Sequence, residues 1–132
     1  MLGTQLTPSS SSPSTSLLLV ADCSNTRVCV WQGDGTQHIT NFMIDGFPRG
    51  LCVDMNGYIH VSSVYSHTIQ VFDPRKNYTL VQTLGSFGST PGQFINPTGL
   101  CVDEFNTLMV VDHWNHRVQF FRGRLSQPSH DM

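Results

Sequence analysis

At 132 residues the chain is long enough for one compact domain with its own core, and nothing in its length calls for two. Hydrophobic residues make up 39% and charged residues only 12%, which excludes a highly charged disordered polymer. Seven Lys and Arg against nine Asp and Glu give a net charge of -2, a balance that argues against a strong electrostatic grip on nucleic-acid phosphates.

Residues 1–16, "MLGTQLTPSSSSPSTS", carry little to bury and predict a disordered lead-in. The polar end, residues 124–132, predicts a flexible tail. No run approaches the ~18 apolar residues of a membrane span, and the N-terminus lacks the basic segment of a secretory signal, so the expected location is cytoplasmic with no membrane partner. Cys23, Cys29, Cys52 and Cys101 form no C-x-x-C pair. Cys52 and Cys101 occupy equivalent strand positions and are expected to be buried, reduced thiols.

Between the ends the chain repeats itself. "GLCVD" occurs twice, closing on Asp54 and Asp103, 49 residues apart, and "IQVF" and "VQFF" end on Phe72 and Phe121 at the same spacing. An earlier copy, "VADCSNTRVCVW", aligns with "VVDHWNHRVQFF" at an offset of 90. A period of this size signals a repeat architecture. Within a unit, "GLCVD" leads through Met55-Asn56-Gly57 into "YIHVS", then "TIQVF", then "YTLVQTLG". These are short runs rich in β-branched and aromatic residues, broken by turn residues and without helical period. Four strands per unit fit a propeller blade, so the expected fold is all-β, a β-propeller fragment of about two to three four-stranded blades across residues 17–123.

The third unit, "PTGLCVDEFNTLMVVDHWNHRVQFF", resembles an NHL repeat: a Pro-x-Gly entry strand, a hydrophobic strand ending in Asp, then Asn115-His116-Arg117-Val118. The first unit keeps Asp22, Asn25, Arg27 and Val28, and the second has drifted to Ser63, Ser66, His67, Thr68 and Ile69. "GSFGSTPGQFINPTG" is similar to the linker between such blades. The resemblance implies a protein-binding propeller of the kind found in tripartite-motif ubiquitin ligases, with RNA binding or a metal-dependent lyase or lactonase as alternatives. The few, scattered basic residues weigh against RNA.

Asp22, Asn25, Arg27, Asp54, Asp103, Asp112 and Asn115 read as the structural signature of the repeat. Asp112, at a strand end, is expected to accept hydrogen bonds from turn N–H groups, with Arg117 pairing to an Asp nearby. His113 and His116 lack a third ligand nearby in sequence, so no metal or other cofactor is expected. No nucleophile elbow, phosphate loop or carboxylate pair is present, and no catalytic residue is assigned. The candidate binding residues are Trp114, for which packing against the adjacent blade is the alternative, Tyr65 at the same station one unit earlier, His67, His116 and Arg117. Open strand edges and an uncovered blade face predict self-association.

Overall fold

The computed structural model describes residues 16–122 together with the backbone of residues 2–6 and 129–131. Twelve strands run in chain order: β1 (Leu2–Leu6), β2 (Leu17–Asp22), β3 (Arg27–Gln32), β4 (His38–Met43), β5 (Phe47–Val53), β6 (Ile59–Val64), β7 (Thr68–Asp73), β8 (Thr79–Leu84), β9 (Pro97–Val102), β10 (Leu108–Asp112), β11 (Arg117–Arg122) and β12 (Ser129–Asp131). They form three four-stranded sheets in strict chain order, β1–β4, β5–β8 and β9–β12, every pair antiparallel. Each sheet is a blade. The first strands of successive blades lie side by side, β1 against β5 and β5 against β9, so they form the inner edge of the stack.

Alternation along the strands decides which face each blade buries. Leu19, Ala21, Val28 and Val30 of blade one pack with Leu51, Ile59, Val61 and Phe72 of blade two. Cys52, Ile69 and Val71 on the other face of blade two pack with Leu108, Val110 and Phe121 of blade three, with Leu84 and Phe94 completing the cluster. Blade two is therefore buried on both faces, and all six residues of β6 are buried. Sheets need partners on each apolar face, and stacked repeats supply them.

The strands at either end depart from expectation. Leu2–Leu6, inside the expected disordered lead-in, pairs with β2 from Leu2↔Asp22 to Leu6↔Leu18. Ser129–Asp131, inside the expected flexible tail, pairs with β11. An open strand edge offers unpaired backbone groups to any extended segment that can reach it, so pairing there needs little from the side chains. The Ser/Pro-rich remainder of the lead-in, residues 7–15, lies outside the described residues. The cysteine expectation holds for one of its two strand positions: Cys52 is buried, whereas Cys101 is exposed. The face of blade two that holds Cys52 is covered by blade three, and among the described residues no sheet covers the corresponding face of blade three.

Candidate functional site

In each blade a short turn joins the second strand to the third: Cys23–Asn25 and Thr26 in blade one, Tyr65 to His67 in blade two, His113–Asn115 and His116 in blade three. All three end on a non-glycine residue in the left-handed region, Thr26 at φ 55°, His67 at φ 59° and His116 at φ 56°. That conformation is uncommon outside glycine, and it recurs at one station in all three blades. The backbone N–H groups of Thr26 and His116 close back on the carbonyls of Cys23 and His113.

The anchor in blade three is Asp112, fully buried at 0% exposure. Its Oδ1 accepts the N–H of Ile95 at 2.9 Å, and its Oδ2 accepts Arg117 Nε at 2.8 Å, Asn115 Nδ2 at 2.9 Å and Gln119 Nε2 at 3.0 Å. The expected bonds from turn N–H groups are not made by Asp112. They occur instead at Asp54 and Asp103. Asp54 Oδ1 accepts the N–H groups of Asn56 and Tyr58, and Asp103 Oδ1 accepts those of Phe105 and Thr107. The reason is position: Asp54 and Asp103 stand at exposed two-strand turns, while Asp112 points inward beneath the connector from blade two.

That connector spans residues 85–96, and the signature side chains hold it. Arg117 donates from Nη1 to the Ser89 carbonyl at 2.8 Å and from Nη2 to those of Thr90 and Gln93 at 3.0 Å each. Asn115 Nδ2 reaches the Gly88 carbonyl at 2.9 Å. Gln119, absent from the sequence-derived set, donates to the Gln93 carbonyl at 2.7 Å and accepts the Gly92 N–H at 2.9 Å. Arg117 is thus committed within the blade, and its guanidinium belongs with the scaffold rather than with a contact surface. In blade one Asp22 Oδ2 accepts Asn25 Nδ2 and Arg27 Nε at 2.9 Å each. These bonds, from Asn25 first and Arg27 second, hold the Asp22 carboxyl below the usual carboxylate range.

The same end of the stack carries three exposed aromatic side chains. Tyr65 is 71% exposed, Phe87 65% and Trp114 64%. Two consecutive connector residues tie the turns bearing two of them: the Trp114 N–H donates to the Ile95 carbonyl at 3.1 Å, and the Tyr65 N–H donates to Asn96 Oδ1 at 2.9 Å. The Asn96 N–H in turn donates to His67 Nδ1 at 3.0 Å. The His67 ring meets Phe87 edge-on at 4.9 Å, and Phe47 meets Tyr65 at 5.5 Å. Tyr65 and Trp114 therefore flank one rigid connector, with Phe87 beside His67. Phe87 was not among the sequence-derived candidates; its signal was a large apolar residue, Ser86-Phe87-Gly88, in an otherwise polar loop. His116 is exposed at the rim beside Trp114.

At the opposite end, Asp54 Oδ2 lies 2.9 Å from His60 Nε2 in a buried pair between blades two and three. Burial pushes the Asp54 carboxyl up, but the bonds from His60 and from the Tyr58 and Asn56 N–H groups outweigh it, and the group lies below the usual range. Among the described residues no three His, Cys, Asp or Glu side chains converge as a metal would require. Among the described residues no helix is long and apolar enough to cross a membrane.

Antiparallel four-stranded blades stacked by their faces, with inner strands side by side, define this as a β-propeller-type repeat protein. Residues 94–121, from the end of the connector through β11, match the NHL repeat model. Among solved structures the chain is similar to Kuenenia stuttgartiensis hydrazine synthase, with a TM-score of 0.62 at 12% identity. The match covers 98% of this chain and spans 44% of that one, and at this identity it speaks to fold alone. Comparison with curated protein sequences gives no match.

Proposed function

We propose that the chain is a non-catalytic protein-interaction module, working in the cytoplasm as the partner-recruiting part of a tripartite-motif-like ubiquitin ligase system. The observation that carries the reading is the exposed group Tyr65, Phe87 and Trp114, the first and last on turns tied to the connector and Phe87 on the connector itself. Large aromatic side chains on a rigid base lose little entropy on binding and supply much of the energy of protein contacts. NHL repeats commonly mediate protein contacts, which supports a protein over a small ligand.

An RNA-binding role has less support. Arg27, Arg75 and Arg117 each form an ion pair with an Asp of their own blade, at 2.8 to 2.9 Å. Guanidiniums committed in this way have little left for phosphates.

Quantitative affinity capture from cytosolic extract tests the proposal. Trp114→Ala and Tyr65→Ala are expected to lose the bound proteins by on the order of tenfold, with the unfolding midpoint nearly unchanged because both side chains are exposed. Phe105→Ala removes a ring that is 79% exposed at the opposite end, and is expected to retain them. A ubiquitin ligase component should be among the proteins lost. Equal capture by wild type and Trp114→Ala would refute the assignment of this face.

A further inference from the structure

Both contacts between blades in this chain use the same pairing of faces. Leu19, Ala21, Val28 and Val30 form the forward face of blade one and meet the rear face of blade two. Carried forward by the 90-residue offset, those positions are Met109, Val111, Val118 and Phe120 in blade three. There the matching face is open: Val111 is 41% and Val118 47% exposed, with Met109 and Phe120 half-buried. At the other end, the rear face of blade three uses Leu108, Val110 and Phe121, and its counterparts in blade one are Leu18, Val20 and Trp31. These three are half-buried. The stack thus presents an apolar forward face at one end and the matching apolar rear face at the other, and none of these seven side chains carries a charge.

The inner strands show the same unfilled fit. A Cβ at Gly50 would fall 2.1 Å from the Thr98 carbonyl oxygen, because β5 and β9 pass backbone to backbone there. Gly99 stands at that station in blade three, where a Cβ would meet only the Val111 side chain, at 3.2 Å. The close approach that Gly50 serves has no counterpart yet at Gly99.

We propose that a second copy of this chain fills both ends. The forward face of blade three in one copy seats on the rear face of blade one in the other, and the reciprocal contact closes a ring with a two-fold axis. Closed propellers contain about 4 to 8 blades, and the three described blades of each of two copies fall within that range. The contact continues the inter-blade packing already made twice within the chain, so each copy gains two more interfaces of a kind its sequence already specifies. A head-to-tail contact that closes in this way gives a discrete dimer rather than a fibre.

Light scattering on the 132-residue chain tests this. The expected mass is that of two 14.7 kDa copies, with no larger species growing as concentration rises. Val118→Glu, which places a charge on an already exposed position of the forward face, should give a monomer with unchanged strand content. Trp114→Ala, on the aromatic turn face, should leave the dimer intact. A second readout needs no variant: Cys101, exposed on the forward face, should alkylate on the order of tenfold more slowly in concentrated than in dilute wild-type protein, followed by peptide mass. A monomer at every concentration, an open ladder of oligomers, or a dimer indifferent to Val118→Glu would each overturn the proposal.

Discussion

Blades two and three repeat with a register of 49 residues, yet they hold their incoming connectors by different chemistry. Blade two is entered by three residues, Ile44 to Gly46, and neutral groups suffice: Ser63 Oγ and Gln70 Nε2 donate to the Asp45 carbonyl, and the Asp45 N–H donates to Gln70 Oε1. Blade three is entered by the twelve residues between β8 and β9. Ordering a loop of that length costs about 1–2 kcal/mol per residue in backbone entropy, which a few neutral bonds cannot offset. Asp112, Asn115 and Arg117 supply charge-assisted bonds instead. In blade three the Asp–Asn–Arg signature thus fixes a long connector, whereas blade two, with a short one, has Ser63, Ser66 and Thr68 at the stations of Asp112, Asn115 and Arg117.

The largest expected effect tests that difference directly. Asp112→Ala strips a fully buried carboxylate from four donors and leaves Arg117 facing no counter-charge, so it should cost about 3–5 kcal/mol in urea unfolding. Ser63→Ala, at the same station, removes one neutral hydrogen bond and should cost about 1–2 kcal/mol. Equal losses would mean that connector length does not set the requirement for charge.

A second contrast concerns which faces are covered. Gly50→Ala drives a Cβ into the backbone of β9 and should destabilise by about 1–3 kcal/mol, as overpacking of a tight contact does. Gly99→Ala meets only the Val111 side chain, which is 41% exposed and not backbone, and should stay within about 0.5 kcal/mol. Measuring both in the Val118→Glu background keeps self-association out of the comparison. A large loss at Gly99 in that monomer would show that blade three is packed as tightly as blade two.

The register made most of the sheet order readable from sequence, because equivalent strands recur with their apolar alternation intact: β5 to β8 and β9 to β11 fall where the repeats place them. β4 was not readable, since half of His38–Met43 is polar and only Phe42 is buried. β1 and β12 are defined by the edge they complete rather than by their own composition. The signature residues could be located but their targets could not. Asp112, Asn115 and Arg117 bind atoms of residues 88–95, and that pairing depends on how two blades stack. Gln70 and Gln119 escaped notice for a related reason: a Gln inside an apolar strand looks like a tolerated exception until its backbone partners are known. Tyr65 and Trp114 were recoverable because station within the repeat predicts exposure at a turn, whereas Phe87 lies in the one segment that no other blade repeats.

The smallest expected effect separates two cysteines at one station. Burial pushes the Cys52 thiol up to about 12, with the Asp54 carboxylate adding to the rise. In the unfolded chain the same thiol ionises near pH ~8.5. Above that pH the unfolded state gives up its proton while the folded state keeps it, so the folded chain binds more protons and stability falls as pH rises, by at most about 1.4 kcal/mol per pH unit. Below the unfolded pKa the contribution is fully present. Tyr78, also raised by burial, adds a further loss at higher pH, so the informative window is pH 9 to 10. Within it the wild type should lose about 1 kcal/mol and Cys52→Ala should be nearly flat. In the Val118→Glu monomer, iodoacetamide should label the exposed Cys101 in the folded chain and reach Cys52 only on unfolding. A slope that persists in Cys52→Ala, together with equal labelling of the two thiols, would show that blade three does not seal the forward face of blade two.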